Sequence, residues 1–484
     1  MLSNKDLDLV SELLERYREP AILLYSPFPP QEAPKVRSKI GGLPNLPADR
    51  PWPMGKFRGE VIPLHFFAQI DCSELPRLDR RLPIRGMLFF FGCDMEEQVW
   101  GMTEPQDDVR VLYVEKVLEA TPKREPPKEL PPIGGRYASS DGRIAADGAL
   151  PGEDGPNIHV EWPLVATKID SWPNSDAWDD IGGLFKKAFP GRSLAFRDLL
   201  SAAFNEREKY NEALRRNKSI AEPYDERVRF KRLDAFVAAT GIVNKHRAWN
   251  LQWARSTGMR YDEPWPANGV RFPQLGIMID RLARHIINAA LSYRDRHSRE
   301  LGAENEQRIQ TIVDAGMLWI ERAREIGFVE RPSAEDADAL NTWLVDIHGQ
   351  RPHAPMPSDA LVVNIDTNRQ IRAALVDTIN YLATRAPEKF PARYYDVLAA
   401  DFTPFSQGGG NAVDGVRHHQ TLGHVPSSQD VKSIDDPKIC LLRLSSDYIR
   451  KMSFGDAGEC TFWIMPSDLV ARRFDKAWGE IVSH

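Results

Sequence analysis

Only four of the 484 residues are cysteines, Cys72, Cys93, Cys440 and Cys460, and none stands in a CxxC pair. This excludes a disulfide framework and zinc-finger ligand spacing, and leaves buried free thiols as the expectation. No apolar run approaches the roughly 18 residues of a membrane-spanning helix. The opening "MLSNKDLDLVSELLERYREP" has no continuous apolar core of the signal-peptide kind, so a cytoplasmic location is expected. A large excess of one sign of charge is lacking too. A formal net charge of −6 with 27% charged residues gives no strong attraction to nucleic acid or an anionic membrane, and neither is expected as a partner. The phosphate-cradling GxxxxGK[ST] and the GxSxG elbow are missing, and "QGGGNA" lies in a loop rather than after a strand. Ordinary nucleotide-binding and hydrolase routes have no support here, and no cofactor is expected.

What is present divides by periodicity. Residues 20 to 120 hold short apolar runs broken by proline: "PAILLYSP", "VIPLHFFAQIDC", "GMLFFFGC" and the alternating "DVRVLYVEKV" predict strands. Gly41 and Gly42 in "IGGLPNLPADRPWP" permit unusual backbone angles while its four prolines forbid helix. "TPKREPPKELPPIGGR", dense in proline and charge, predicts an extended, solvated connector leading away from this β region. From about residue 195 the composition turns helical. "GIMIDRLARHIINAALSYRDRH" sets Met278, Leu282, Ile286, Ala289, Ala290 and Tyr293 at three- and four-residue steps, and "NEQRIQTIVDAGMLWIERAREIGF", "SAEDADALNTWLVDIHG" and "NRQIRAALVDTINYLATRAP" predict three more helices. Two further helices are predicted in "SLAFRDLLSAAFNEREKYNEALRRN" and "YDERVRFKRLDAFVAAT", and one at the N-terminus, where Ser3 and Asp6 resemble a capping box. Gly408 to Gly410 mark a loop, after which "KICLLRLSSDYI" and "ECTFWI" predict strands and "SDLVARRFDKAWGEIV" a closing helix capped by Ser467.

The two β regions echo one another. "GGLP", "LHFFAQIDCSEL" and "GMLFFFG" recur in kind as "LGHVP", "ICLLRLSSDYI" and "GECTFWI": a Gly/Pro turn, an apolar strand ending in polar residues, then an aromatic strand after a glycine. Taken in order, "SKIGGLPNLPADRPWP", "LHFFAQIDCSELP", "RGMLFFF", "HHQTLGHVPSSQD", "FGDAGECTFWI" and "DLVARRFDKAW" resemble the motifs of the YwqG-like family, a bacterial domain of unknown function. The resemblance covers roughly residues 1 to 120 and 415 to 484. It implies an α+β fold of two similar β-rich repeats and no established activity; the helical region resembles nothing in it and reads as an insertion. The expected division is residues 1–185, 186–405 and 406–484. One departure is Arg443, which stands where the family usually has a glutamine that would echo Gln69.

Candidate chemistry is sparse. Asp456 in "FGDAGEC" is readable as an acid, a base or a metal ligand, and equally as an Asx turn launching a strand. His418, His419 and His424 cluster without the spacing of HExxH, so turn and sheet-edge hydrogen bonding stands beside a metal site made of His419, His424 and Asp456. Lys39, Trp52, Gln69 and Asp71, with Arg443 from the second half, are candidates to line a cleft between the repeats, Gln69 and Asp71 facing one side of a strand. With no catalytic constellation, a protein-binding or accessory role through the helical insertion, of toxin-immunity type for example, ranks above a metal-assisted hydrolase.

Overall fold

The computed structural model describes residues 16–26, 35–95, 108–134, 156–171, 272–299, 301–347, 365, 367–383, 385–391, 394, 419–424, 436–447, 452–455 and 458–482. The predicted helices before residue 272, the N-terminal one, the Gly408–Gly410 loop, His418 and Asp456 lie outside them. Sheets occupy the N- and C-terminal parts and helices the middle, an α+β architecture. The chain forms two compact units, one of Met1–Pro131, Ile158–Ser256 and Ala400–His484, the other of Pro132–Asn157 and Thr257–Ala399.

The first unit is built on two antiparallel sheets. One contains β1 (Glu19–Tyr25), β9 (Val165–Ser171), β10 (His419–Thr421), β11 (Ile439–Ser445), β12 (Glu459–Ile464) and β13 (Trp478–Val482), in the order β13-β12-β11-β10-β1-β9. The other contains β2 (Lys39–Ile40), β5 (His65–Asp71), β6 (Met87–Gly92), β7 (Val109–Val114) and β8 (Trp162–Pro163), ordered β7-β6-β5-β2-β8, while β3 (Met54–Phe57) and β4 (Glu60–Pro63) form a hairpin. Every residue of β5, β6, β11 and β12 is buried. That is why these stretches are rich in apolar residues on both faces, with a few buried polar positions between them.

The two sheets meet through aromatic rings. Phe90 of β6 and Phe462 of β12 are 5.1 Å apart between centroids, and Phe67 contacts Phe454 at 5.6 Å and Phe462 at 6.5 Å. Period-two alternation would send Phe67 and Gln69 to one face. A bulge between Phe66 and Ala68 prevents this. Gln69 pairs with Phe89 and Phe66 with Phe91, so those residues share the outer face, where Phe89, Phe91, Trp52, Leu46 and Leu64 form a core, while Phe67 turns to the seam. β11 carries a bulge of its own between Cys440 and Leu442, after which Leu442 pairs with Phe462 on the seam and Arg443 with Thr461 on the opposite face.

Three local expectations need correction. The closing segment is not one helix: a short helix, α5 (Pro466–Val470), stops where Arg472 adopts φ 59°, and Trp478–Val482 becomes the edge strand β13, packing Trp478 on Cys440 and Trp463. Its N-cap is Met465, not Ser467, because Pro466 supplies the preset first helical turn. His419 is not at a sheet edge, since β10 lies between β1 and β11. The proline-rich connector is not solvated throughout; up to Pro131 it is strapped to its unit before leading away: the Arg124 amide donates to Pro44 O, Asn45 Nδ2 to Thr121 O, Lys123 Nζ to Glu161, and Leu130 is buried. The strap is held by donors of its own non-proline residues, Lys123 and Arg124, and by the Thr121 carbonyl as acceptor.

The second unit holds α1 (Gly276–Arg296), α2 (Ala303–Ile326), α3 (Ala334–Ile347) and α4 (Thr367–Leu382), at the four places their periodicity predicts. Ala283, Ile287, Leu291 and Ile320 form its core with Val313, Met317 and Trp319. Gly316 lets α1 approach closely, since a Cβ there would stand 2.6 Å from Ile287. Ser333 and Asp336 cap each other at the start of α3, and Gly327, with φ 93°, ends α2. His285 Nε2 and Asp377 Oδ2, 2.8 Å apart, tie α1 to α4.

Candidate functional site

Lys39, Gln69 and Asp71 lie together on the outer face of the five-stranded sheet, and each is held by its own chain. Lys39 pairs directly with Gln69 across β2 and β5. Its Nζ donates to Leu43 O at 2.5 Å and to Glu161 Oε2 at 2.8 Å. Gln69 donates to Arg37 O and Asn45 Oδ1 and accepts from the Asn45 amide. Asp71 caps the following 3₁₀ turn through the Ser73 amide and pairs with Arg37 at 3.2 Å. Trp52 is a buried wedge, its Nε1 donating to Leu64 O and its edge against Phe91.

Arg443 belongs to the other sheet and the other side. It pairs with Gln420, and its Nε lies 2.6 Å from Glu459 Oε2 while Nη2 meets Oε1, a buried bidentate ion pair. The seam of aromatic rings separates this outer face from that of Lys39, so the structure does not bring the two groups into one cleft. His419 is buried opposite Leu24 in β10, and His424 turns its Nε2 to Tyr17 O at 2.6 Å. Among the described residues no group of three His, Cys, Asp or Glu side chains is placed to hold a metal ion.

Electrostatics follow burial. Burial pushes the Lys39 ammonium below its usual range, against the attraction of Glu161. For Glu161 burial pushes upward, but Lys39 and the bonds from Lys123 and Lys39 outweigh it, so the carboxyl ends below its usual value. Glu161 therefore contributes stability that is present above its unfolded pKa and lost as pH falls through the folded one. Glu161→Gln is expected to cost about 3 kcal/mol near neutral pH. That cost should shrink as the pH rises and Lys39 loses its proton, a trend that denaturant titrations at several pH values would check. Three of the four cysteines are poor nucleophiles: burial raises the thiols of Cys72 and Cys93 to about 12 and that of Cys460 well above its ordinary value.

One cluster had no signal in the sequence. His65 opens β5, Asp94 follows β6 and His159 precedes β8; all three are buried. The Asp94 amide donates to His65 Nδ1 at 3.2 Å, and His65 Nε2 lies 2.9 Å from Pro131 O. Those partners fix the neutral tautomer with its proton on Nε2. His159 Nε2 stands 3.0 Å from Asp94 Oδ2. The three residues are too far apart in sequence for any spacing rule to join them.

Compared with known families, the chain is matched over residues 38–229 and 340–481 by DUF1963, described as a domain of unknown function. The stretch left between the two matched segments contains α1, α2 and the start of α3. No curated protein matches the chain.

Proposed function

The chain belongs to the DUF1963 family, a domain of unknown function, and from that premise we propose that it is a YwqG-like cytosolic protein that binds another protein and has no catalytic centre among the nominated residues. What carries this reading is that Lys39, Gln69, Asp71 and Arg443 are each engaged by neighbours of the same chain and fall on two opposite faces of the sheet pair. Side chains used this way hold strands in register; they offer no shared pocket to a substrate.

Internal duplication is part of the proposal. The orders β7-β6-β5-β2 and β13-β12-β11-β10 correspond strand for strand, each central strand carrying a bulge just before Gln69 or Arg443. Successive left-handed residues follow the short strand in both, Gly41 and Gly42 in one and Leu422 and Gly423 in the other. Lys39 Nζ reaches Leu43 O as Gln420 Nε2 reaches His424 O, and the Cys72 amide donates to Gly86 O as the Ser446 amide does to Gly458 O. The division at 1–185, 186–405 and 406–484, with the helical part an insertion that meets a partner, completes the reading; an immunity role is one concrete form.

In the helical unit Leu318 on α2 and Val345 on α3 are 66% and 77% exposed, while Trp319 and Trp343, with ring centroids 6.3 Å apart, are partly buried. Capture from cell extract with the full chain and with Leu318→Glu/Val345→Glu tests the proposal. A stoichiometric partner lost only by the double variant is expected. A partner set indifferent to these substitutions would sink the idea.

A further inference from the structure

We propose that His65 is a pH-sensitive pin that fastens the two points where the chain leaves and rejoins the first unit. Pro131 is the last residue of that unit before the excursion of Pro132–Asn157, and Ile158 the first after it. His65 binds Pro131 O directly, and His159, next to the point of return, stands against Asp94, whose amide His65 accepts. A single imidazole, buried completely, thus joins β5 to the departing strap and to the residue that meets the returning one.

The pin works only in one protonation state. A second proton on Nδ1 would face the Asp94 N–H, donor against donor, and the ring would let go of that amide. The titratable groups that face the ring are Asp94 and His159. His159 Nε2 faces the Asp94 carboxylate at 3.0 Å. Burial holds His65 below its ordinary value, against the Asp94 charge, with His159 adding to the effect and the Pro131 and Gly92 carbonyls opposing it. An unfolded His binds its proton near pH 6.5 as a rough reference. Below that pH the unfolded chain holds more protons than the folded one, so stability is intact above about 6.5 and falls as the medium acidifies.

Hydrogen exchange of the Asp94 amide, corrected for its intrinsic pH dependence, reads the pin in the full chain. Between pH 7.5 and 5.0 the exchange should accelerate about tenfold or more relative to amides of β11 and β12. In His65→Gln, which keeps an acceptor and a donor but takes no proton, that acceleration should vanish. Exchange unaltered by acid in the wild type, or acceleration retained in the variant, overturns the proposal. If the variant fails to fold, the ring titration of wild-type His65 decides. A midpoint shared with the exchange change supports the pin, and a ring that gains its proton while the Asp94 amide stays protected rejects it.

Discussion

Arg443→Ala is expected to lower the stability of the β-sheet unit by about 3–5 kcal/mol. The guanidinium and Glu459 are a bidentate pair with side chains 4% and 10% exposed, so removing the cation leaves a carboxylate that water hardly reaches. The loss is therefore mainly the penalty of an uncompensated buried charge, and the net worth of the pair is smaller. A double substitution, Arg443→Leu/Glu459→Leu, should recover much of the loss, because well-packed apolar side chains need no counter-charge. Denaturant unfolding of the three proteins measures both quantities. If Arg443→Ala cost less than about 1 kcal/mol, the pair would be behaving as a solvated surface bridge, and the enclosed outer face described for β11 would be wrong.

Phe462→Ala should be comparably severe, at about 3–5 kcal/mol, since it opens a cavity where rings from both sheets converge. Phe462 is fully buried and meets Phe90 and Phe67 edge-on. A double-mutant cycle with Phe90→Ala should give a coupling of about 0.5–1.5 kcal/mol, the usual size for an aromatic pair. Additive effects of the two substitutions would mean that the sheets do not meet along this seam.

These two positions also illustrate what the sequence reveals. "GMLFFFGC" and "ECTFWI" declare themselves as strands because six buried positions in a row select mostly apolar residues, the exceptions being Glu459 and Thr461 of β12. The helices of the middle region are equally legible, since an apolar stripe beside a charged face is what a half-buried helix requires. β8 and β10, two and three residues long, are too short to carry a period, and exist because longer neighbours supply their hydrogen bonds. The edge strand β13 was hidden by helix-compatible residues that a tertiary pairing overrides.

The candidate site was legible only in part. That Gln69 and Asp71 share a face follows from alternation, and their pairing with Phe89 and Met87 agrees. What alternation could not show is the bulge at Phe67, which changes which residues accompany them. Nor could it show Glu161, distant in sequence, closing on Lys39, or the remote residues that assemble around His65. A polar residue in an apolar strand advertises that it needs a partner; sequence does not say whether the partner is a ligand or the rest of the chain.

The central claim is that the buried polar groups maintain the fold while the helical unit makes the contact that matters. Once a partner has been captured, its affinity measured by titration calorimetry for the wild type, for Lys39→Met/Glu161→Leu and for Leu318→Glu/Val345→Glu tests this most directly. The account predicts wild-type affinity for the first variant, whose buried pair is replaced as a unit, and at least a tenfold loss for the second. The reverse pattern, binding abolished by the Lys39 variant in a folded protein and untouched at Leu318 and Val345, would contradict it.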